Sequence, residues 1–304
     1  MSGLRPFGLH RAESVEEASR LMAERAGDAV LYAGGTELLL LLKLGFIRPR
    51  WLIDVKRLPG LREIGSRDGD LVIGATVPHR EVERSPAVRA RCPLVAGVAR
   101  HVANVRVRAV GTVGGNLAFA DPHSDLATLF LVFDARVALE SGAGARELAL
   151  ADFVRGPYET ARRDDELVTS VRLRPWAAGA AGAYVKFGLH ERPTLGVAVA
   201  LLPNGVPGHV GEARVAVGCV GPRPERFARV EDAIRGRDVE EIGRRAGELG
   251  ALAAEAADPA DDLHGSAEYK RDMTRVFVGR ALALAAARAQ GQAPDVRYAH
   301  TVVV

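Results

Sequence analysis

Cysteine is scarce in this sequence, which has only Cys92 and Cys219, far apart along the chain. No Cys-x-x-Cys pair occurs, although zinc and iron–sulfur sites are commonly built from such pairs. The sequence therefore predicts neither a metal–sulfur cluster nor a disulfide-stabilised scaffold. The histidines His101, His123 and His190 are also scattered, and no set of histidine, cysteine and carboxylate residues has metal-ligand spacing. We expect no metal site in this chain.

An excess of basic residues is also missing. The 41 Lys and Arg residues are nearly balanced by 38 Asp and Glu residues, which leaves a net charge of +3. The arginines are interleaved with carboxylates throughout the chain, whereas nucleic-acid-binding domains concentrate their basic residues on one face. The composition therefore argues against nucleic-acid binding.

Long hydrophobic runs are absent as well. The leucine run Leu38–Leu42 ends at Lys43 and is far shorter than the ~20 residues of a membrane-spanning helix. The segment Met1–His10 lacks the apolar core of a secretory signal peptide. No serine lies in a Gly-x-Ser-x-Gly nucleophile elbow, which disfavours a serine hydrolase. We expect a cytoplasmic protein without a membrane span.

The chain contains 304 residues, of which 48% are hydrophobic and 26% are charged. This length suits two domains rather than one core, because domain sizes cluster near about 100–150 residues. The small and flexible stretch Pro175–Gly182 is interpreted as a linker. We therefore predict a first domain over residues 1–177, with subdomains at about 1–55 and 56–177, and a second domain over 178–304.

Local patterns predict an α/β unit at the start of the chain. Ser14 and Glu17 have the spacing of a capping box in front of an amphipathic helix. The segments Ala29–Tyr32 and Trp51–Val55 are typical of short strands, and Thr36–Lys43 is typical of a helix. This order places a glycine turn between a strand and the start of a helix.

The rest of the chain alternates between strand and helix patterns. The first domain is predicted to continue with a hairpin of Leu61–Ile64 and Leu71–Ala75, helices at Thr76–Val82, Pro93–Val102 and Leu126–Phe133, and strands at Arg136–Glu140 and Leu167–Leu173. His79 follows Pro78 and is interpreted as a helix-start residue rather than as a base. The second domain is predicted to contain strands at Ala183–Phe187, Gly196–Leu202 and Arg214–Val220, and helices at Arg237–Ala257 and Tyr269–Ala289.

The first of two glycine clusters is Ala-Gly-Gly-Thr-Glu-Leu at residues 33–38. Glycines between a strand and a helix allow the backbone to approach a ligand closely, and free N–H groups there favour an anion such as pyrophosphate. The spacing matches neither Gly-x-Gly-x-x-Gly nor a P-loop. A tight turn without a ligand remains an alternative for this cluster.

The second cluster spans residues 110–126 and combines three glycines with several polar side chains. Thr112 and the glycine amides are candidates for holding phosphate oxygens, and an aspartate there is a candidate acceptor for ribose or ring N–H groups. The alternative is structural: Asp121 would start a turn with Pro122, and Ser124 or Asp125 would cap the next helix.

Together, Ala-Gly-Gly-Thr-Glu-Leu and Thr-Val-Gly-Gly-Asn-Leu-Ala-x-Ala-Asp-Pro-x-Ser-Asp-Leu closely resemble the FAD-binding subunit, or domain, of molybdenum hydroxylases. These are the xanthine dehydrogenase and carbon monoxide dehydrogenase relatives. The resemblance covers nearly the whole chain, including the Glu-Tyr-Lys-Arg-x-Met helix near its end. It implies an α+β fold, with a two-part PCMH-type (vanillyl-alcohol-oxidase-like) FAD-binding domain and a C-terminal domain with a three-stranded sheet and helices.

The resemblance also implies which residues contact FAD. In the first cluster these are Leu31, Tyr32, Ala33, Gly34, Gly35, Thr36, Glu37 and Leu38, around the diphosphate. In the second they are Thr112, Val113, Gly114, Gly115 and Asn116, followed by Asp125 as an acidic contact. Single positions carried over are Val102, Val168 and Lys186. Val102 replaces an aromatic residue seen in some relatives, which puts a stacking contact there in doubt.

The function implied is that of an FAD-carrying oxidoreductase subunit without a catalytic acid or base of its own. Electrons would leave substrate at a large molybdopterin-cofactor subunit, cross a small [2Fe–2S] subunit and reach FAD, which releases them to NAD⁺, a quinone or oxygen. The complex would be a heterotrimer that dimerises. Residues 117–119 are candidates for the flavin edge that faces a partner.

Two alternatives are an assembly subunit with structural FAD and a stand-alone flavin oxidase of the vanillyl-alcohol type. The oxidase is disfavoured because about 120 residues follow the linker, which is small for a substrate-capping domain.

Overall fold

The structure is a computed structural model that describes residues 5–188 and 192–304. Its first part is a three-stranded parallel sheet with strand order β1-β3-β2. The strands are β1 (Gly8–Arg11), β2 (Ala29–Tyr32) and β3 (Trp51–Asp54), and the connections contain helices α1 (Val15–Glu24) and α2 (Leu38–Leu44). The predicted α/β unit is therefore confirmed, although α2 begins two residues after the predicted start at Thr36.

One of the two hydrogen bonds of the predicted capping box before α1 is confirmed, and the other is made to a different residue. Ser14 Oγ accepts a hydrogen bond from the Glu17 N–H at 3.1 Å, as predicted. The Glu17 carboxylate accepts from the Glu13 N–H at 2.7 Å instead of from Ser14, and it also lies 2.8 Å from His10 Nε2. The side chain at the third helical position therefore ties α1 to β1.

The second part is a five-stranded antiparallel sheet with strand order β4-β5-β10-β6-β7. Helices α3 to α8 connect β5 to β6, and one short helix and a small hairpin connect β7 to β10. The elements are β4 (Ile64–Arg67), β5 (Asp70–Gly74), α3 (His79–Arg84), α4 (Pro86–Arg91), α5 (Pro93–Ala99), α6 (Val105–Val110), α7 (Val113–Phe119), α8 (Asp125–Leu131), β6 (Arg136–Ser141), β7 (Gly144–Ala149), α9 (Leu150–Phe153), β8 (Val154–Gly156), β9 (Glu159–Thr160) and β10 (Leu167–Leu173).

Two predictions in this part are corrected. The hairpin strand begins at Ile64 rather than at Leu61, and the helix expected from Thr76 begins at His79. Within the second glycine cluster, Val113–Phe119 form the helix α7, which the sequence patterns did not predict. Glycine disfavours a helix, but a threonine cap and tertiary packing outweigh its low propensity here.

The third part is a five-stranded antiparallel sheet with strand order β14-β13-β12-β11-β15. Its elements are β11 (Ala181–Phe187), β12 (Leu195–Pro203), β13 (Val210–Gly218), β14 (Glu225–Arg226), α10 (Ala228–Ile234), α11 (Val239–Arg244), α12 (Ala246–Ala256), α13 (Ala267–Ala289) and β15 (Thr301–Val303). The three long strands confirm the predicted sheet, but two short edge strands make it five-stranded rather than three-stranded. The helix predicted over 237–257 is two helices that meet at Arg245.

The third part packs against the second through one face of its sheet. Tyr184, Ala198 and Ala216 belong to the same buried cluster as Leu126 and Phe130 of α8. The other face packs on helices α10 to α13 in a separate core. The predicted domain boundaries lie between β3 and β4 and between β10 and β11, and they stay predictions.

Candidate functional site

A cavity of about 640 Å³ lies where the three parts of the chain meet. Both glycine clusters line it, together with residues from β2, the segment after β5, α8 and the loop before β12. All but three of the residues predicted to contact FAD line this cavity, the exceptions being Tyr32, Val113 and Lys186. The two clusters, which are distant in sequence, therefore face one space.

The first cluster is a turn that presses against the segment before α7. A Cβ atom on Gly34 would collide with the Val110 carbonyl and lie 2.9 Å from Gly111 Cα, so the close approach requires glycine. Within the described residues, the N–H groups of Gly34, Gly35 and Thr36 donate to no protein acceptor. Successive free N–H groups of this kind form a concavity that suits an anion such as a diphosphate.

The second cluster is arranged differently, because its amides are already occupied. The N–H groups of Val113 and Gly114 donate to the Val77 and Ala75 carbonyls at 3.0 and 2.8 Å. The Gly115 N–H donates to Thr112 Oγ1 at 3.1 Å, which caps α7. These amides are therefore not available to phosphate oxygens, contrary to the expectation from the sequence.

The glycines of α7 have separate roles. A Cβ atom on Gly114 would collide with the Ala75 side chain and lie 2.9 Å from its carbonyl oxygen. Gly114 therefore allows α7 to contact the segment after β5. Gly115 lines the cavity and is exposed, and a Cβ atom there would contact Thr112 Oγ1 at 2.8 Å. Both glycines line the cavity, and Gly115 is the exposed one of the two.

The segment after β5 contributes two side chains that the sequence did not identify as site residues. Thr76 is 4% exposed and His79 is 3% exposed, and both line the cavity. Burial and the nearby Arg108 lower the pKa of His79 to about 4, so the imidazole is neutral at neutral pH. The interpretation of His79 as a helix-start residue is confirmed, since α3 begins there. The signal that the sequence offered for Thr76 and His79 was that they are polar residues in an otherwise apolar stretch after a strand.

Asp125 begins α8, whose N-cap is Ser124, with Ser124 Oγ accepting from the Ala127 N–H at 3.1 Å. The Asp125 carboxylate accepts from Lys186 Nζ at 2.7 Å and from the Tyr184 hydroxyl at 2.9 Å. Burial raises the pKa of Asp125, and the two partners oppose that effect without cancelling it. Asp125 thus joins the cavity wall to the sheet of the third part.

Arg192 bridges the two glycine clusters, although no feature of the sequence marked it. Its Nε donates to Asp121 Oδ2 at 2.7 Å, and its other end lies 3.2 Å from Glu37 Oε2. Burial alone would raise the pKa of Asp121, but hydrogen bonds with His123 and Arg192 outweigh burial and lower it to about 2. The predicted turn at Asp121 is confirmed, because Asp121 Oδ1 accepts from the His123 N–H at 2.9 Å.

The three predicted residues outside the cavity lie directly behind its wall. The Tyr32 ring lies under Lys56 Nζ, 3.7 Å from the ring centroid, and Val113 is fully buried. Lys186 is 3% exposed and also donates to the His101 carbonyl at 3.2 Å. Of the three residues considered for a partner-facing edge, Leu117 is in the core, whereas Ala118 and Phe119 line the cavity.

The part of the chain that the structure describes shows neither a metal-site arrangement nor a membrane-spanning helix. In residues 5–188 and 192–304, no group of three or more His, Cys, Asp or Glu side chains has the arrangement of a metal site. None of the helices in those ranges is both long enough and apolar enough to cross a bilayer. His190 lies outside the described residues.

The residues of the cavity fit FAD, the cofactor that the resemblance predicts. The free amides of the first cluster suit its diphosphate, and apolar side chains such as Leu41, Ile47 and Val107 suit its ring systems. The unpartnered Thr76 Oγ1 and His79 Nδ1 supply buried polar atoms for a ligand. A large, partly apolar ligand with a central anion is consistent with this lining.

Two family descriptions match the chain. Residues 5–176 match the FAD binding domain in molybdopterin dehydrogenase, and residues 190–285 match the CO dehydrogenase flavoprotein C-terminal domain. The first match alone covers more than half of the chain.

Individual relatives are similar over nearly the full length. The carbon monoxide dehydrogenase medium chain of Hydrogenophaga pseudoflava is 34% identical over 284 residues, covering 93% of this chain and 98% of the relative. The 6-hydroxypseudooxynicotine dehydrogenase complex subunit alpha of Paenarthrobacter nicotinovorans is 30% identical over 280 residues, covering 92% and 94%. The solved Hydrogenophaga pseudoflava carbon monoxide dehydrogenase that lacks the Mo-pyranopterin moiety superposes with a TM-score of 0.88 at 35% identity, covering 94% of this chain and 99% of that chain.

Proposed function

The chain belongs to the FAD-binding medium subunits of the molybdenum hydroxylase family, and from that premise we propose that it carries electrons from the [2Fe–2S] clusters of a partner subunit to an external acceptor. FAD supplies the conversion between one-electron and two-electron transfer when it is bound. The proposed partners are a large molybdopterin-cofactor subunit and a small [2Fe–2S] subunit, in a heterotrimer that dimerises in the cytoplasm. NAD⁺, a quinone or oxygen is the proposed acceptor.

The observation that carries this proposal is how the carboxylates beside the two glycine clusters are paired. Asp125 is bonded to Lys186, while Asp121 and Glu37 both contact Arg192. His79 is held neutral by burial and by Arg108. Carboxylates engaged in ion pairs position neighbouring groups, whereas a general base needs a free site within reach of a substrate proton. The arrangement favours holding a cofactor over proton transfer to a bound substrate.

The proposed FAD contacts are the predicted residues that line the cavity, with the first cluster at the diphosphate. Asp125 and Lys186 are proposed to act together, with Lys186 supporting the carboxylate from behind. Tyr32 and Val113 are proposed to shape the wall without touching the cofactor. The substrate oxidised at molybdenum is left open, since the relatives named above carry different substrates in their names.

The test measures flavin reduction in the complex purified with its partner subunits. In stopped-flow mixing with substrate under anaerobic conditions, the iron–sulfur absorbance is expected to bleach before or together with the flavin. The flavin of the isolated chain is expected to stay oxidised with the same substrate. NAD⁺, a soluble quinone and oxygen are then mixed separately with the reduced complex to identify the acceptor.

Two outcomes would contradict the proposal. Substrate oxidation by the isolated chain at the full rate of the complex would favour the stand-alone oxidase. A flavin that stays oxidised in the complex while the clusters are fully reduced would favour an assembly subunit with structural FAD.

A further inference from the structure

Two buried side chains on one wall of the cavity carry polar atoms that nothing in the described protein satisfies. Thr76 and His79 are 4% and 3% exposed, and Thr76 Oγ1 and His79 Nδ1 have no hydrogen-bond partner among the described residues. Buried polar atoms are nearly always paired, because an unpaired one costs its full desolvation penalty. Two such atoms three residues apart at a cavity indicate a ligand.

The backbone of this segment is held firmly by the second glycine cluster. The Val77 and Ala75 carbonyls accept from Val113 and Gly114, and the His79 N–H donates to the Gly111 carbonyl at 3.0 Å. The Thr76 N–H donates to the Leu61 carbonyl at 2.8 Å. The backbone of both residues is therefore fixed on the wall, and their unpaired side-chain atoms do not lie on a loose loop.

The chemistry of this wall is polar but uncharged. The His79 imidazole is neutral, so its two nitrogens offer one donor and one acceptor, and the Thr76 hydroxyl offers both. The neighbouring Arg108 is occupied, since it donates to the Val102 and Ala103 carbonyls at 3.0 and 3.1 Å. Val102 and Val107 add apolar surface. Such a wall suits the edge of a neutral heteroaromatic ring better than a diphosphate.

We propose that Thr76 and His79 bind the hydrogen-bonding edge of a heteroaromatic ring of FAD. The inference rests on the proposed placement of FAD in this cavity. FAD contains two such rings, adenine and isoalloxazine, and both present donors and acceptors at their edges. Thr76 and His79 are thus binding residues in addition to those implied by the glycine clusters.

The test compares Thr76→Val and His79→Phe, which keep the side-chain shape and remove the polar atoms. FAD affinity, measured by flavin fluorescence on titrating FAD-free protein, is expected to fall about five- to a hundredfold in each variant. The thermal midpoint of the FAD-free protein is expected to stay level or rise, because each substitution removes an unsatisfied buried polar atom. A residue with only a structural role would show the opposite pattern.

The matched control is Thr274→Val. Thr274 is fully buried in α13, and its hydroxyl donates to the Lys270 carbonyl at 2.8 Å. This variant is expected to lower the thermal midpoint and leave FAD affinity unchanged.

Two further measurements identify the ring. If the adenine edge is bound, ADP affinity falls in the same proportion as FAD affinity, and the flavin midpoint potential is unchanged. If the isoalloxazine edge is bound, ADP affinity is unchanged, and the potential and the visible absorption maxima shift.

Unchanged FAD affinity, ADP affinity and flavin potential in both variants would overturn the inference. A Gly115→Val variant separates this failure from failure of the proposed FAD placement. If Gly115→Val loses FAD while Thr76→Val and His79→Phe retain it, the placement stands and only the inference fails. If all three variants retain full FAD binding, the placement itself is wrong.

Discussion

The His79 ring combines burial, a nearby arginine and a pKa of about 4. In an unfolded chain the same imidazole has a pKa near 6.5. Between these two values the unfolded state binds a proton that the folded state does not. Folding is therefore penalised as the pH falls through this range, which is the sign expected for a base whose pKa is lowered by folding.

The first prediction concerns this pH dependence. The free energy of unfolding of the FAD-free protein should decrease from about pH 6.5 to about pH 4 and level off below, by about 3 kcal/mol from this residue. The measurement is equilibrium unfolding in urea at several pH values, for the wild type and for His79→Gln. The difference between the two proteins isolates His79 from other titrating groups, and a difference independent of pH would contradict the lowered pKa.

At the scale of single elements, α7 shows how a helix forms over glycines. Thr112 caps the N-terminus of the helix, and the missing side chain of Gly114 leaves room for Ala75. These two contacts anchor the first turn of α7. Both glycines line the cavity, but a Cβ atom on Gly114 would collide with Ala75, whereas one on Gly115 would meet only Thr112 Oγ1. Identical substitutions at these positions therefore test packing and ligand binding separately.

The second prediction follows from that difference. Gly115→Val should lose FAD affinity by at least about tenfold, because the new side chain enters the cavity and its Cβ atom displaces the Thr112 hydroxyl, 2.8 Å away. Gly114→Val should destabilise the fold itself, because its Cβ collides with Ala75. Flavin occupancy and circular dichroism of the purified variants provide the measurement.

Gly247→Val is the matched control, since Gly247 is exposed in the first turn of α12 and a Cβ atom there meets nothing within 4 Å. It should leave both properties unchanged. Full occupancy in Gly115→Val would show that α7 does not border the cofactor.

Elements with a strong local signal could be predicted from the sequence. The strands β2 and β3, the helix α8 and the Ser14 cap depend on patterns within about ten residues, and the structure confirms them. The strands β14 and β15 could not be predicted, because they have two and three residues and exist through pairing with distant strands. The helix α7 was missed because glycine propensity argues against it.

The same distinction applies to the site. Both glycine clusters, the family and FAD could be predicted from motif and spacing. Thr76 and His79 stand out only as polar residues in an apolar stretch, and their place at the cavity depends on the pairing of their segment with residues 111–114. Arg192 could not be predicted, because its two carboxylates lie 71 and 155 positions away.

At the scale of the whole molecule, a buried ion pair joins the FAD-binding part to the third part. Asp125 and Lys186 are 5% and 3% exposed, and their charged atoms are 2.7 Å apart. Removing one member of such a pair leaves the other charge buried without compensation, which is more costly than removing both.

The third prediction uses this asymmetry. Asp125→Asn should lower the free energy of unfolding by about 3–5 kcal/mol, and adding Lys186→Met should recover part of that loss. Urea denaturation of the single and double variants provides the measurement, and strictly additive losses would mean that the two residues act independently. As a control, Glu255→Gln in the exposed Arg229–Glu255 pair should change the free energy by less than about 1 kcal/mol.

The separation of Asp125 from its partners also fixes an order of events during synthesis. Tyr184 and Lys186 follow Asp125 by 59 and 61 positions, so the ribosome completes the whole FAD-binding part before it adds the strand that neutralises Asp125. If the nascent chain folded over the Asp125 carboxylate before β11 was made, it would bury an uncompensated charge. N-terminal units generally fold first during synthesis, but here the cavity wall at α8 receives its ion-pair partner from β11, which is made later. We therefore expect FAD to bind after translation of β11, when both halves of the ion pair exist.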